Sequence, residues 1–230
     1  PGREEDRYVL DVQNPEIVFT QGYNATPVFY NDIDNFMLCS FTCSEDLISL
    51  YNCFDDQEVK DLRLNAFFEA REDEQYKVAK VVEKVYDCFV IRSAELYLNK
   101  AEAEAMLDKA EAKQTIKTLL NNRFEGGIPD VDGLNEKDLI SFIRDERRRE
   151  LCFEAHRWFD LRRYAVSSKY PEKKSIRHET YDKNGVLEGD YVLKPYGEDP
   201  AWVLPIPGYE IVYNQGNLVD NPQRVERKLE

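Results

Sequence analysis

The chain is short of positive charge. Lys and Arg number 31 against 45 Asp and Glu, a formal net charge of −14 over 230 residues. Phosphate binding needs a basic surface, so this balance argues against nucleic acid, and it disfavours docking on anionic lipid for the same reason. Long apolar runs are also lacking, and none approaches the roughly 18 residues of a membrane-spanning helix. The opening PGREEDRYVLDVQNPE shows no basic-then-apolar signal pattern and no initiator Met, so the chain reads as a fragment or a processed form. Histidine is scarce: His156 and His178 sit in unrelated contexts that suggest neither a metal site nor a catalytic triad. The cysteines (Cys39, Cys43, Cys53, Cys88 and Cys152) are odd in number and form no CxxC, which disfavours a disulfide framework and a zinc site. Cys39 and Cys43 either pair or act as small buried hydrophobes, and the second reading is preferred. No motif calls for a cofactor, and no internal repeat is evident.

Apolar residues make up 42% and charged residues 33%, a globular composition with enough chain for a sizeable core. Residues 1–86 read as loop-rich. They hold an extended run at Glu16–Phe19, a helix over Ser44–Tyr51 opened by Ser44, and strands at Leu64–Arg71 and Tyr76–Val82. Residues 87–165 read as a helical core, with helices over Phe89–Leu107 and Glu111–Phe124. After the EGGIPDVDG break a long third helix runs through NEKDLISFIRDERRRELCFEAHRWFDLRRYA, bent near His156. Residues 166–230 return to turns and short strands. IRHETYD and VLEGDYVLK flank KNG, a hairpin signal, and the Pro- and Gly-punctuated end wraps the surface.

The third helix mixes charge with bulk. Leu139, Ile140, Phe142, Ile143, Leu151, Phe153, Trp158 and Leu161 share one broad half of its wheel. Glu146, Arg147, Glu150, Glu154, Arg157 and Asp160 fall on that same half, while Arg148, Arg149, His156 and Arg163 fall on the other. Glu146, Glu150 and Glu154 form an i, i+4 ladder of like charge that needs cations. The first helix offers a matching stripe of Ile91, Arg92, Glu95, Leu98, Asn99, Glu102 and Met106, edged by Ala94, Ala101 and Ala105, and Arg123 adds a cation. The reading is an interhelical ion-pair network that fixes register, with Glu95, Glu102, Glu150, Glu154, Arg147 and Arg157 largely buried. Two functional readings of the same residues stand beside it. Paired carboxylates can serve a glycosidase, and arginines can clamp a phosphate or carboxylate ligand.

Five pieces in order carry a resemblance: IRSAELYLNKAEA, LLNNRF, IRDERRRELCFEAHRWFDLRRY, LPIPGYEI and NLVDNP. Together they resemble the C-terminal half of the SusD/RagB family of outer-membrane nutrient-binding lipoproteins. NPEIVFTQGYN and SEDLISLYNCFDDQEVKDLRLNAFF resemble its preceding segment more loosely. The resemblance implies a mainly α fold with tetratricopeptide-like helix pairs, small β-hairpins and long ordered loops. It implies capture of glycans, or in some members peptides, at the cell surface of Bacteroidota, over a SusC-like TonB-dependent transporter and without catalysis. Family members are longer, with a lipidated N-terminal Cys, so their opening helices and anchor lie outside this resemblance. An apolar helical surface left without those helices is expected to be exposed and to promote self-association.

The motif residues say little about the ligand. Sugars offer C–H faces and hydroxyls, which aromatics and amides complement. Tyr23, Asn24, Tyr30, Asn31 and Phe36, in the loop Tyr23–Phe36, are the candidate contacts, against the alternative that these aromatics pack the loop onto the core. Trp158 and Trp202 read as core. The competing functions are an intracellular helical-repeat scaffold for protein partners and, less favoured, a glycoside hydrolase.

Overall fold

A computed structural model describes residues 14–21, 43–54, 59–70, 76–80, 89–182, 184–222 and 229. The chain is mainly helical, with four two-stranded antiparallel sheets among the described residues. Backbone proximity divides it into two compact units, residues 1–157 and 158–230.

In the first unit, β1 (Ile17–Gln21) pairs with β5 (Phe89–Arg92), matching Ile17 to Arg92 and Gln21 to Phe89. By sequence alone Phe89–Arg92 belongs to the first turns of a helix. The aromatic and β-branched run FVI instead pairs as a strand, and α3 (Ser93–Met106) begins only after the extended Arg92. The expected strand at Leu64–Arg71 is corrected as well. Asp61 accepts a bond from the Arg63 amide at 2.9 Å, an Asx turn that starts a short helix α2 (Arg63–Phe67). Among the described residues of that stretch only β3 (Phe68–Ala70) is extended, and it pairs with β4 (Tyr76–Val78). The helix α1 (Glu45–Asn52) follows Ser44 as read, with the Ser44 carbonyl rather than its hydroxyl receiving the first amides.

Two apolar clusters build this unit. The larger joins α3, α4 (Glu111–Leu120) and α5 (Glu136–Glu150) through Ala94, Leu98, Ala101, Ala105, Ile116, Leu120, Ile140 and Ile143. The alanines therefore lie at the centre of the buried face of α3, not along its edge. Their small side chains let α4 and α5 approach, while Ile91 is exposed. The smaller cluster holds Leu47, Ile48, Tyr51, Phe67, Phe68 and Cys152, with Phe68 edge-on to Tyr51 at 5.2 Å and to Phe153 at 6.2 Å. Asn135 caps α5 by accepting the Asp138 amide at 3.0 Å, and the acids of the first turn and arginines of the last turn suit the helix dipole.

The long third helix is two helices. α5 ends at Glu150, residues 151–156 turn, and α6 spans Arg157–Ala165. Phe153 and Ala155 both adopt φ of 62°, the left-handed region, which stops the helix.

In the second unit, β7 (Ile176–Tyr181) and β8 (Leu187–Leu193) form the expected hairpin. Asp182 Oδ1 accepts from the amides of Asn184 and Val186, both at 2.8 Å, and Gly185 takes the positive φ the turn requires. Trp202, 1% exposed, stacks on the half-buried Trp158 at 4.4 Å and donates its indole N–H to the Lys194 carbonyl at 2.7 Å. Both tryptophans thus pack internally in this unit. The closing segment, which by sequence is turns and wrapping chain, contains a short helix, α7 (Gly208–Tyr213).

Ala155 is exposed, so its side chain gains little to offset its left-handed backbone. Ala155→Gly is expected to stabilise the protein by about 0.5–1 kcal/mol, the left-handed penalty less glycine's entropic cost. Urea melts of the two proteins measure this, and a destabilised glycine variant would contradict it.

Candidate functional site

The densest chemistry in the described residues is a buried charge cluster in the first unit. Its centre is the Glu150 carboxylate at the end of α5. Arg92 Nη1 donates to Glu150 Oε1 at 2.5 Å, Arg63 Nη1 to Oε2 at 2.9 Å, and Arg123 to both oxygens at 2.9 and 3.0 Å. One turn earlier, Glu146 accepts from Arg63 at 2.5 Å and from Arg149 Nε at 2.8 Å. Beyond the end of α5, Glu154 accepts from Lys80 at 2.5 Å and from Arg92 at 2.7 and 2.8 Å. Asp61 holds the other side of Arg63 at 2.7 and 2.9 Å, and Glu16 holds Arg123 at 2.9 Å. Acids Glu16, Asp61, Glu146, Glu150 and Glu154 thus meet cations Arg63, Lys80, Arg92, Arg123 and Arg149, five against five. The cluster is neutral, which is the condition for burying it. Backbone carbonyls complete it, since Lys80 and Arg92 Nη2 each donate to the Glu150 carbonyl at 2.6 Å.

Burial disfavours ionisation of all three glutamates, but the cations outweigh it. Arg63 and Arg149 hold Glu146 below the ordinary carboxylate range, Arg92, Arg123 and Arg63 hold Glu150 well below it, and Lys80 and Arg92 hold Glu154 below it. None of the three has a proton to give near neutral pH, so none suits the acid of a glycosidase pair. Cys152 and Tyr51 lie close by, with Tyr51 Oη 3.4 Å from Cys152 Sγ, but burial pushes both above their ordinary values. Burial also pushes the Cys43 thiol up to about 12, so these groups are packing residues and not nucleophiles. Among the described residues no cluster of His, Cys, Asp or Glu could hold a metal ion.

The structure gathers Arg92, Arg123, Glu146, Glu150 and Glu154 as the sequence suggested. Glu95, Glu102 and Arg147 lie on the α3–α5 contact instead. There Arg147 donates to Asn99 Oδ1 at 2.7 Å with Glu95 3.8 Å away, and Arg144 sits 3.9 Å from Glu102. Glu95 is only half-buried, and so is Arg157, which the turn at 151–156 takes off the helical face of α5. Asp160 belongs to the second unit, where Arg163 donates to it at 2.9 Å. Arg149, assigned by the wheel to the open face, is 1% exposed, packed against the rings of Phe54 and Phe142. That assignment failed because α5 is covered on both sides. Asp61, Arg63, Lys80 and Glu16 were missed. The Asp61–Leu62–Arg63 spacing was a local signal, but nothing marked Lys80 or Glu16. The sugar-contact candidates Tyr23, Asn24, Tyr30, Asn31 and Phe36 lie outside the described residues, as does Cys39.

The model of the SusD family matches residues 71–223, more than half of the chain. The chain belongs to the SusD family. A SusD-like protein P2 of Formosa agariphila is 28% identical over 142 residues, which is 57% of this chain and 25% of the relative. A SusD-like carbohydrate binding protein from Bacteroides vulgatus superposes on 92% of this chain and 51% of its own, with a TM-score of 0.56 at 20% identity. A SusD-like protein from Bacteroides fragilis covers 91% of this chain and 54% of its own, with a TM-score of 0.52 at 20% identity. The chain spans about half the length of these solved structures, and they support the mainly helical fold.

Removing one member of the cluster leaves buried charges unpaired. Arg63→Ala is expected to cost about 3–5 kcal/mol in urea unfolding. Lys173→Ala, which breaks a half-exposed pair with Glu198, is expected to change stability by less than about 1 kcal/mol. Equal effects from the two would refute the buried-network account. The lowered folded pKa values of Glu146, Glu150 and Glu154 mean that their stabilisation is present above the unfolded value of about 4.3 and lost as pH falls below it. Melting temperature should therefore hold from neutrality to about pH 5 and drop below that.

Proposed function

We propose that this SusD-family chain is a non-catalytic binding component for nutrient capture, with a glycan as its ligand. The observation that carries this is the family match over residues 71–223, together with the fold shared with a protein described as carbohydrate binding. The setting that fits such a component is the outer-membrane surface beside a SusC-like TonB-dependent transporter, which takes up the captured oligosaccharide or, in a peptide-binding variant, peptide.

The charge cluster supports the non-catalytic part. Glycoside hydrolysis needs two carboxylates flanking one bond about 5–10 Å apart, one of them protonated. The gathered glutamates are saturated by cations and held ionised. Ligand chemistry then falls to loops, which commonly carry binding residues. By residue type, Tyr23, Asn24, Tyr30, Asn31 and Phe36 are the candidates the sequence offers for it.

Calorimetry against a panel of oligosaccharides tests this reading. Binding without release of reducing sugar on long incubation is expected. Tyr30→Ala is expected to weaken binding by about 0.5–1.5 kcal/mol, the worth of one aromatic contact beyond area burial, with little change in melting temperature. Unchanged affinity would remove Tyr30 from the site, and released sugar would overturn the non-catalytic reading.

A further inference from the structure

The closing segment of the second unit presents an aromatic stripe that its own unit does not use. On α7, Tyr209, Val212 and Tyr213 share one face at i, i+3 and i+4 and are 62%, 77% and 81% exposed. Among the described residues neither tyrosine side chain has a hydrogen-bond or ring partner. This contrasts with Tyr196, which lies edge-on to Trp202 at 6.0 Å with Arg162 over its ring.

The stripe is presented on a closed loop. Asp220 Oδ1 accepts from the Ile206 amide at 2.9 Å, and Asn221 Nδ2 donates to the Leu204 carbonyl at 2.7 Å. These bonds tie the two ends of the segment together at its neck. Asn214 is spent on the helix end, donating to the Glu210 carbonyl at 3.1 Å, which leaves the exposed amides of Gln215 and Asn217 in the turn that follows the stripe. Exposing two rings costs apolar hydration, and no described contact within this unit offsets it.

We propose that Tyr209 and Tyr213 form a stacking platform for an uncharged glycan chain, with Gln215 and Asn217 reaching its hydroxyls. The proposal rests on the glycan reading above and adds a contact surface to it. Two rings and adjacent free amides match the alternating C–H faces and hydroxyls of sugars. Residues 204–222 contain no Lys or Arg and include Glu210 and Asp220, so an acidic polysaccharide would meet repulsion without a counter-charge. A protein partner fits less well, because a six-residue helix offers far less than the roughly 800 Å² per side of a stable interface.

The test is calorimetry with neutral hexaoses of glucose, xylose, mannose and galactose, and with an alginate hexamer. The wild type should bind a neutral probe and not alginate. The double substitution Tyr209→Ala/Tyr213→Ala should weaken that binding about tenfold or more. Tyr209→Phe/Tyr213→Phe should keep most of it, and both variants should melt as the wild type does. A wild type that binds while the alanine variant binds equally well overturns this proposal and leaves the glycan reading intact. A wild type that binds none of the probes, alginate included, overturns both. Preference for alginate overturns the platform, as does a wild-type dimer in light scattering that the alanine variant loses with glycan binding unchanged.

Discussion

The carboxylate of Glu150 is the point on which the first unit depends. Arg63 reaches it from the start of α2, Arg92 from the end of β5, and Arg123 from the residue before β6 (Phe124–Glu125). Those three arginines carry Asp61, Glu146, Glu154 and Glu16 with them. Residues far apart in the chain are thereby tied to one turn of one helix. The arrangement is costly to assemble in part, because each member alone is a desolvated charge, and that cost favours all-or-none formation. It also explains how the like-charge ladder of Glu146, Glu150 and Glu154 survives, with a cation placed against each rung.

The break after α5 belongs to the same design. A continuous helix would have kept Glu154 one turn above Glu150, in line with it. The left-handed residues Phe153 and Ala155 stop the helix at that point. Glu154 then bridges Lys80 and Arg92, and Phe153 packs on Phe68. The strained backbone is offset by the salt bridges and ring contacts it permits.

A scaffold held this way separates stability from recognition. Its gathered carboxylates are each met by cations and held ionised, and its motifs identify the SusD family without naming a ligand. On the proposed function, recognition would fall to segments whose side chains the scaffold does not use. In the second unit the same division is visible among the aromatics: Trp158, Trp202 and Tyr196 pack on one another, while the rings of α7 face outward.

The sequence by itself determined the family, the helical character of residues 93–165 and the hairpin around Gly185, because these rest on local spacing and turn chemistry. It also showed that Glu146, Glu150 and Glu154 needed cations, since like charges at i, i+4 repel wherever the helix lies. Only the tertiary structure decided which cations answer. Arg63, Lys80 and Arg149 enter the cluster because α5 is covered on both sides, and a single helical wheel assigns only one face to the interior. The start of α3 at Ser93 was decided likewise by a partner strand, β1, more than 70 residues upstream, whose pairing overrides the helical reading of Phe89–Arg92. Local propensity is worth tenths of a kcal/mol per residue, and long-range pairing and burial outweigh it where they compete.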